Sequence, residues 1–378
     1  MIPKTIIASC LAGALLIAGI PAWAQEQEPV SPENTPAVMT VDDAVAYALE
    51  HSLTIASANS AIENARYSRT QAKFSMDSRK QMDSSAASFD DGLMLTGYYV
   101  SAAETQLAVA QRNLLTAQNT LTIQVQNDFY TYLNAKDKVE IARTNLKSAQ
   151  EKLEYAKAKK DSGAISELDY AAFELSAQDA QNKLNQAERA VELAELQVKF
   201  TINYPRENPL TLQGAFTSPS ITVKDADQAV LASKGHVNYL NLQDSLRLAE
   251  ERWEHAQGWY FPIQPGYNVE KSTYETAQAD FLKNTNDLEM GIRSAFHNLQ
   301  TSKESIQYAQ ENIALLQRST EAAQLQYEMG MITANDLIDS QQQYFSAQNQ
   351  LKDLELTYLT AALQYRSMYT YEDDGSIH

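Results

Sequence analysis

Apolar residues return at three- and four-residue steps along most of this chain. Leu121, Val125, Phe129 and Tyr132 make one such row, and Leu146, Ala149, Leu153 and Ala156 make another. That spacing puts them on one side of an α-helix, in a seam narrower than the face a helix turns toward a globular core. Narrow seams on long helices predict coiled coils. Alanines at Ala149, Ala156, Ala180, Ala187 and Ala194 let neighbouring helices approach closely. Glycine and proline, which punctuate helices, are rare and clustered. Neither occurs from Val38 to Asp91 or from Tyr98 to Ser162. Long helices are therefore expected from about Thr40, where Thr40 and Asp43 form a capping-box start, across residues 98–162, and from Ser166 to about Asn203. In the second half they are expected near 224–257, 270–328 and 334–370, with breaks from Gly258 to Gly266 and at Gly330. Gly235 and Gly291 fall inside two of them.

The pattern is duplicated. Residues 98–200 recur 167 positions later without a gap: Leu121 pairs with Leu288, Phe129 with Phe296, Lys136 with Lys303, Asn145 with Asn312 and Leu196 with Leu363. The best-matched stretch of each copy surrounds a glycine. Ser162-Gly163-Ala164-Ile165-Ser166-Glu167-Leu168-Asp169 answers to Met329-Gly330-Met331-Ile332-Thr333-Ala334-Asn335-Asp336. An in-register match over about a hundred residues marks a repeated structural unit. The expected fold is all-α, with two tandem repeats of long antiparallel coiled-coil hairpins. Its organisation reads as a signal peptide (1–24), a flexible linker (25–39), helical repeat 1 (40–204), an inter-repeat linker (205–223), helical repeat 2 (224–370) and a tail (371–378).

Composition narrows the function. Lys4, an apolar run from Thr5 to Ile20 and Ala22-Trp23-Ala24 form an export signal with its cleavage site. Ile7-Ala8-Ser9-Cys10 resembles a lipoprotein box, but the longer apolar run follows Cys10 instead of preceding it. Cys10 is the only cysteine, so disulfides and thiolate metal sites are excluded from the mature chain. The net charge is −18, which argues against nucleic acid as a partner and favours cationic over anionic solutes nearby. No later stretch has the 18 or so uninterrupted apolar residues of a spanning helix.

The duplicated hairpins and their glycine tips resemble the TolC family of outer-membrane efflux channels. The resemblance rests on Gly163 followed six residues later by Asp169, on Gly330 followed by Asp336, on Asp339 three further on, and on the connector Leu210-Thr211-Leu212-Gln213-Gly214. It implies a TolC-like α-barrel made by a homotrimer, working with a periplasmic adaptor (a membrane fusion protein) and an inner-membrane transporter. In that family each repeat also carries two transmembrane β-strands. A spanning strand needs about 9–11 residues of alternating pattern. The corresponding intervals are residues 75–97, with Arg79, Lys80, Asp83, Asp90 and Asp91, and residues 258–269, with Pro262 and Pro265. The barrel strands are therefore expected to be reduced or absent. The location is then either the outer membrane and periplasm or the extracytoplasmic surface of a cell without an outer membrane.

Three groups of residues are candidate sites. The first is the pair of tips: Gly163, Ala164, Ile165, Ser166 and Asp169, with Gly330, Met331, Ile332, Thr333 and Asp336. Locally these are left-handed turns and helix caps; by the resemblance they dock the adaptor. The second is Asp336 with Asp339, which share a helix face and in a threefold assembly would ring the pore with acid, selective against anions and sensitive to divalent cations. The third is the aromatic loop with Trp259, Tyr260, Phe261 and Tyr267, which either contacts a membrane, wall or partner or folds onto its own helices. Its counterpart, residues 92–99, is a similar loop or one short residual strand. Catalysis finds no footing. His51, His236, His255, His297 and His378 are dispersed, with no metal-ligand spacing, phosphate loop or nucleophile elbow. No enzyme activity, cofactor or metal is expected. The reading is an efflux or secretion conduit, or alternatively a barrel-less envelope scaffold.

Overall fold

The computed structural model describes residues 37–82, 85–215 and 221–370. The signal peptide, Cys10, residues 25–36 and the tail lie outside the described residues. The order of elements is β1 (Ala37–Met39), α1 (Val41–His51), α2 (Leu53–Met82), α3 (Phe89–Thr96), α4 (Tyr98–Asp161), α5 (Glu167–Thr201), β2 (Leu210–Leu212), α6 (Ala226–Ser233), α7 (Val237–Trp259), α8 (Pro265–Glu328) and α9 (Ala334–Arg366).

The duplication is visible in the lengths. α4 and α8 each have 64 residues and begin and end 167 positions apart. At about 1.5 Å per residue, each is roughly 95 Å long. α5 returns along α4, and α9 along α8, giving the two long antiparallel hairpins. α2 packs along α4 and α7 along α8, extending each hairpin away from its tip. Seam positions are buried as the periodicity requires: Val125 and Phe129 are inaccessible, and Ala149, Ala156, Ala180 and Ala194 are buried. Ala187 is half-buried.

Two apolar clusters hold the helices together, the first of them across the repeats. In the first, Met39, Ala44, Val125, Phe129, Leu133, Val198, Leu212, Leu359 and Leu363 join β1, α1, α4, α5, β2 and α9. Burying each large member contributes about 1.5–3 kcal/mol. In the second, Ala229, Ile292, Leu299, Tyr365 and Tyr369 join α6, α8 and the end of α9. There the Tyr365 hydroxyl donates to the Lys224 carbonyl at 3.0 Å, and the Tyr369 hydroxyl accepts from the Lys224 amide at 3.1 Å.

The structure departs from the sequence reading at five places. The linker at residues 25–39 ends in a strand, because β1 pairs in parallel with β2 in the inter-repeat linker, Ala37 opposite Leu210 and Met39 opposite Leu212. The first helix breaks at Ser52, whose hydroxyl accepts from the Ile55 amide at 3.4 Å and restarts it as α2. Residues 92–99 are no strand. Ser88 caps α3 through the Asp91 amide at 3.1 Å, and Gly97 closes it at φ 89°. Gly235 interrupts the expected 224–257 helix, separating α6 from α7 by a tight turn in which the His236 amide donates to the Ser233 carbonyl at 2.9 Å. The break expected from Gly258 to Gly266 shrinks to residues 260–264, since Gly258 stays in α7 and Pro265 opens α8. Gly291 does remain inside α8. Among the described residues the strands are these two of three residues each, and no closed β-barrel is formed.

Candidate functional site

Each hairpin tip is built by the same backbone device. α4 is capped at Ser162, Gly163 turns left-handed at φ 76°, and the Ala164 amide reaches back to the Lys159 carbonyl at 2.8 Å. α8 is capped at Met329, Gly330 sits at φ 74°, and the Met331 amide donates to the Gln326 carbonyl at 2.9 Å. This is the Schellman closure, which satisfies the last carbonyls of a helix and needs a residue free to adopt positive φ. A Cβ at either glycine would meet nothing within 4 Å, so conformation and not space selects glycine.

The return helices start on capping residues. The Ser166 hydroxyl accepts from the Asp169 amide at 3.0 Å and donates to its carboxylate at 2.8 Å. Thr333 and Asp336 form a full capping box: the Thr333 amide and hydroxyl both donate to the Asp336 carboxylate, at 2.9 and 2.7 Å. Those two bonds, the hydroxyl's first, hold the Asp336 carboxyl below the usual carboxylate range. A depressed carboxyl stabilises its helix start above that range, and the contribution fades as pH falls through the folded-state value.

The two tips converge. Ala156 and Phe173 of the first hairpin pack with Ala323, Tyr327, Ala334, Leu337 and Ile338 of the second, and Ile165 and Ile332 lie half-buried against them. Phe173 and Tyr327 meet edge to face, with ring centroids 5.7 Å apart. The Lys159 ammonium sits 4.7 Å from the Tyr155 ring and 5.1 Å from that of Tyr327. A cleft of about 820 Å³ remains between the tips, lined by Gly163, Ser166, Asp169, Gly330, Thr333 and Tyr327 among others. Burial, then the charge of Asp169, pushes the Tyr327 phenol above its ordinary range. Met329, Met331 and Leu168 project outward, 67%, 68% and 80% exposed, so the rim of the paired tips is apolar. Asp336 and Asp339 are both exposed on α9, three residues apart on one helix face.

The aromatic loop divides. Tyr260 packs at a tilt against Phe89, ring centroids 5.0 Å apart, and Tyr267 meets Trp253 edge to face at 4.9 Å, folding both onto their own helices. Gly266 makes this possible, because a Cβ there would lie 2.7 Å from the Tyr260 ring. Phe261 and Ile263 are 74% and 90% exposed, and the Gln264 side chain pins the turn by accepting from the Phe261 amide at 2.8 Å. Trp259 lies at the margin, partly covered by Phe89. The sequence reading missed Phe173, Tyr327 and Lys159, which make the contact between tips. Their signal was the continuation of the seam to within three residues of Gly330.

These tips and hairpins can be set beside known proteins. Residues 264–369, which cover α8 and α9, match the family model described as outer membrane efflux protein. No curated protein sequence matches the chain. Among solved structures, CusC superposes with a TM-score of 0.70 at 11% identity, covering 87% of this chain and 91% of its own. The outer membrane protein VceC of Vibrio cholerae gives 0.67 at 12%, covering 86% and 96%. The open-state MtrE outer membrane channel of Neisseria gonorrhoeae gives 0.63 at 16%, covering 87% and 88%. The chain thus has the TolC-like α-barrel fold, without a closed β-barrel among its described residues. It is similar to the TolC family of outer-membrane efflux proteins in the sequence of its second repeat and in the architecture of both.

Proposed function

We propose that three copies of this chain assemble into an α-helical conduit of an efflux or secretion system in the cell envelope. The paired tips meet a periplasmic adaptor and, through it, an inner-membrane transporter that supplies the energy. The chain itself performs no chemistry. The observation that carries this reading is the convergence of two tips, each closed by the same glycine turn, at the end of two helices of equal length. In that assembly the apolar rim of Leu168, Met329 and Met331 is the docking surface, and Asp336 with Asp339 line the mouth.

The deciding experiment is the mass of residues 25–378 with and without detergent. A detergent-independent trimer supports a tube held by helices alone. A trimer that needs detergent means that Phe261 and Ile263 embed in lipid. A soluble monomer removes the self-contained conduit. A second reading, an envelope scaffold with no pore, is then left standing; it is favoured by the lack of any spanning strand within the described parts of residues 75–97 and 258–269.

The acidic mouth has its own test. In a reconstituted assembly, Asp336→Asn with Asp339→Asn should abolish block by divalent cations and leave the conduit more open. Unchanged conductance and unchanged block would remove the ring from the proposal.

A further inference from the structure

At the end of the chain away from the tips, α3 lies against the last turns of α7, held by aromatic contacts. The Phe89 ring stands 5.1 Å from His255, 5.0 Å from Tyr260 and 6.4 Å from Trp259. One turn along α3, Gly92 brings its backbone onto the His255 ring, where a Cβ would lie 2.5 Å from Nε2 and 2.7 Å from Cε1. Leu93, next to it, is completely buried. The His255 Nε2 is itself buried and has no hydrogen-bond partner.

A bare Nε2 facing the Gly92 Cα suits a neutral imidazole that carries its proton on Nδ1. A second proton, placed on Nε2, would point a charged donor at carbon, away from water and from any acceptor. The ionisable groups on the surrounding elements are paired elsewhere or face water. On α3, Asp90 accepts from the Tyr99 hydroxyl of α4 at 3.3 Å, and Asp91 pairs with Arg79 of α2 at 3.7 Å. On α8, Glu270 holds both arms of Arg252. On α7 itself, Glu251 is paired with Arg247 and Glu254 is exposed. The Arg252 guanidinium lies over the Phe89 ring at 5.3 Å, so an imidazolium would be a second cation against the same ring. The Tyr98, Tyr260 and Tyr267 phenols also lie near this end.

The geometry points to His255 as a protonation-sensitive latch that releases α3 from α7 when its ring takes up a second proton. Histidine is the side chain whose charge normally changes between about pH 5 and 8. Release uncovers Phe89 and Leu93 and turns a closed helix end into an apolar surface. The effect is independent of the conduit proposal, because it concerns contacts within one chain.

Two readouts report on this end directly. Trp253 and Trp259 are the only tryptophans of residues 25–378, so selectively excited tryptophan fluorescence senses α7 and its neighbours alone. Hydrogen exchange of the α3 amides, corrected for the intrinsic rate, senses docking itself. Between about pH 8 and about pH 5, protection of α3 in the full mature chain should fall by about tenfold or more, while α4 keeps its protection. His255→Gln should abolish that fall. Unchanged protection in the wild type overturns the latch. So does an equal fall in His255→Gln, which would assign the effect to Asp90 and Asp91 at the start of α3. A second arm needs no pH change. Gly92→Ala should undock α3 at neutral pH, and adding His255→Ala should restore docking by vacating the space that the new methyl needs. If Gly92→Ala leaves α3 protected, or the double variant fails to regain protection, the contact is not what holds α3.

Discussion

Replacing Arg252 by alanine is expected to lower the stability of the folded chain by about 3 kcal/mol or more, the cost of leaving a buried charge without its partner. Arg252 of α7 clasps Glu270 of α8 through two parallel bonds of 2.7 and 2.8 Å. The Glu270 side chain is only 10% exposed, whereas that of Arg252 is 32% exposed. The pair is therefore asymmetric: the arginine can turn toward water when it loses the glutamate, but the glutamate cannot follow when it loses the arginine. Glu270→Gln should accordingly cost less than Arg252→Ala, and the double variant Arg252→Ala with Glu270→Gln should recover much of the loss. Urea-unfolding midpoints followed by helical circular dichroism would measure all three. Equal losses for both single variants would show that the pair is solvated on both sides.

Phe129→Ala should be comparably damaging, at about 3–5 kcal/mol. Phe129 is inaccessible at the centre of the cluster that ties β1, β2, α1, α4, α5 and α9 together. Gly214, just past β2, packs closely there, since a Cβ on it would lie 3.5 Å from the Phe129 ring and 3.1 Å from Leu133, and a core this tight relaxes only partly around a lost ring. The duplication supplies an internal control. Phe296 occupies the equivalent position of α8 but is half-buried against Tyr365. Phe296→Ala should cost clearly less than Phe129→Ala in the same unfolding measurement. Equal costs would mean that the two repeats share one level of packing, contrary to the burial seen here.

Much of this architecture could be read from the sequence because its determinants are local. The helix seam, the capping signals at Thr40, Ser166 and Thr333, and the glycines at Gly163 and Gly330 each act within a turn or two of themselves. The glycines inside expected helices were harder. Gly291 is carried through because Leu288, Ile292 and Ala295 keep the seam in phase across it, which outweighs the roughly 1 kcal/mol that a helical glycine costs. Gly235 is not, because the chain tightens there into three-residue turns, the Gly235 amide reaching the Ala232 carbonyl at 3.1 Å and the His236 amide the Ser233 carbonyl at 2.9 Å, and His236 is then extended before α7 begins. The β1–β2 pair was invisible for another reason: its strands lie more than 170 residues apart, and three apolar-alternating residues are too few to announce a strand. The candidate site divides likewise. The turn and cap residues were legible, but the meeting of Phe173 with Tyr327 is a contact between repeats and depends on how the hairpins lean. α3 did carry a signal, Ser88 followed by Asp90 and Asp91, but the expectation of a loop or a short strand at residues 92–99 obscured it.

The equal lengths of α4 and α8 constrain how such a chain can change. Two struts that must end in one plane cannot be lengthened singly. An insertion of seven residues in one would keep its seam in phase yet carry its tip about 10 Å beyond the other. Phe173 and Tyr327 would then face no partner, and the apolar rim would be split into two steps. Growth or shortening of this molecule is therefore tolerated only when both helices of both hairpins change together, in whole heptads. The length of the paired hairpins is adjustable in increments, and a lone indel in either strut parts the two tips.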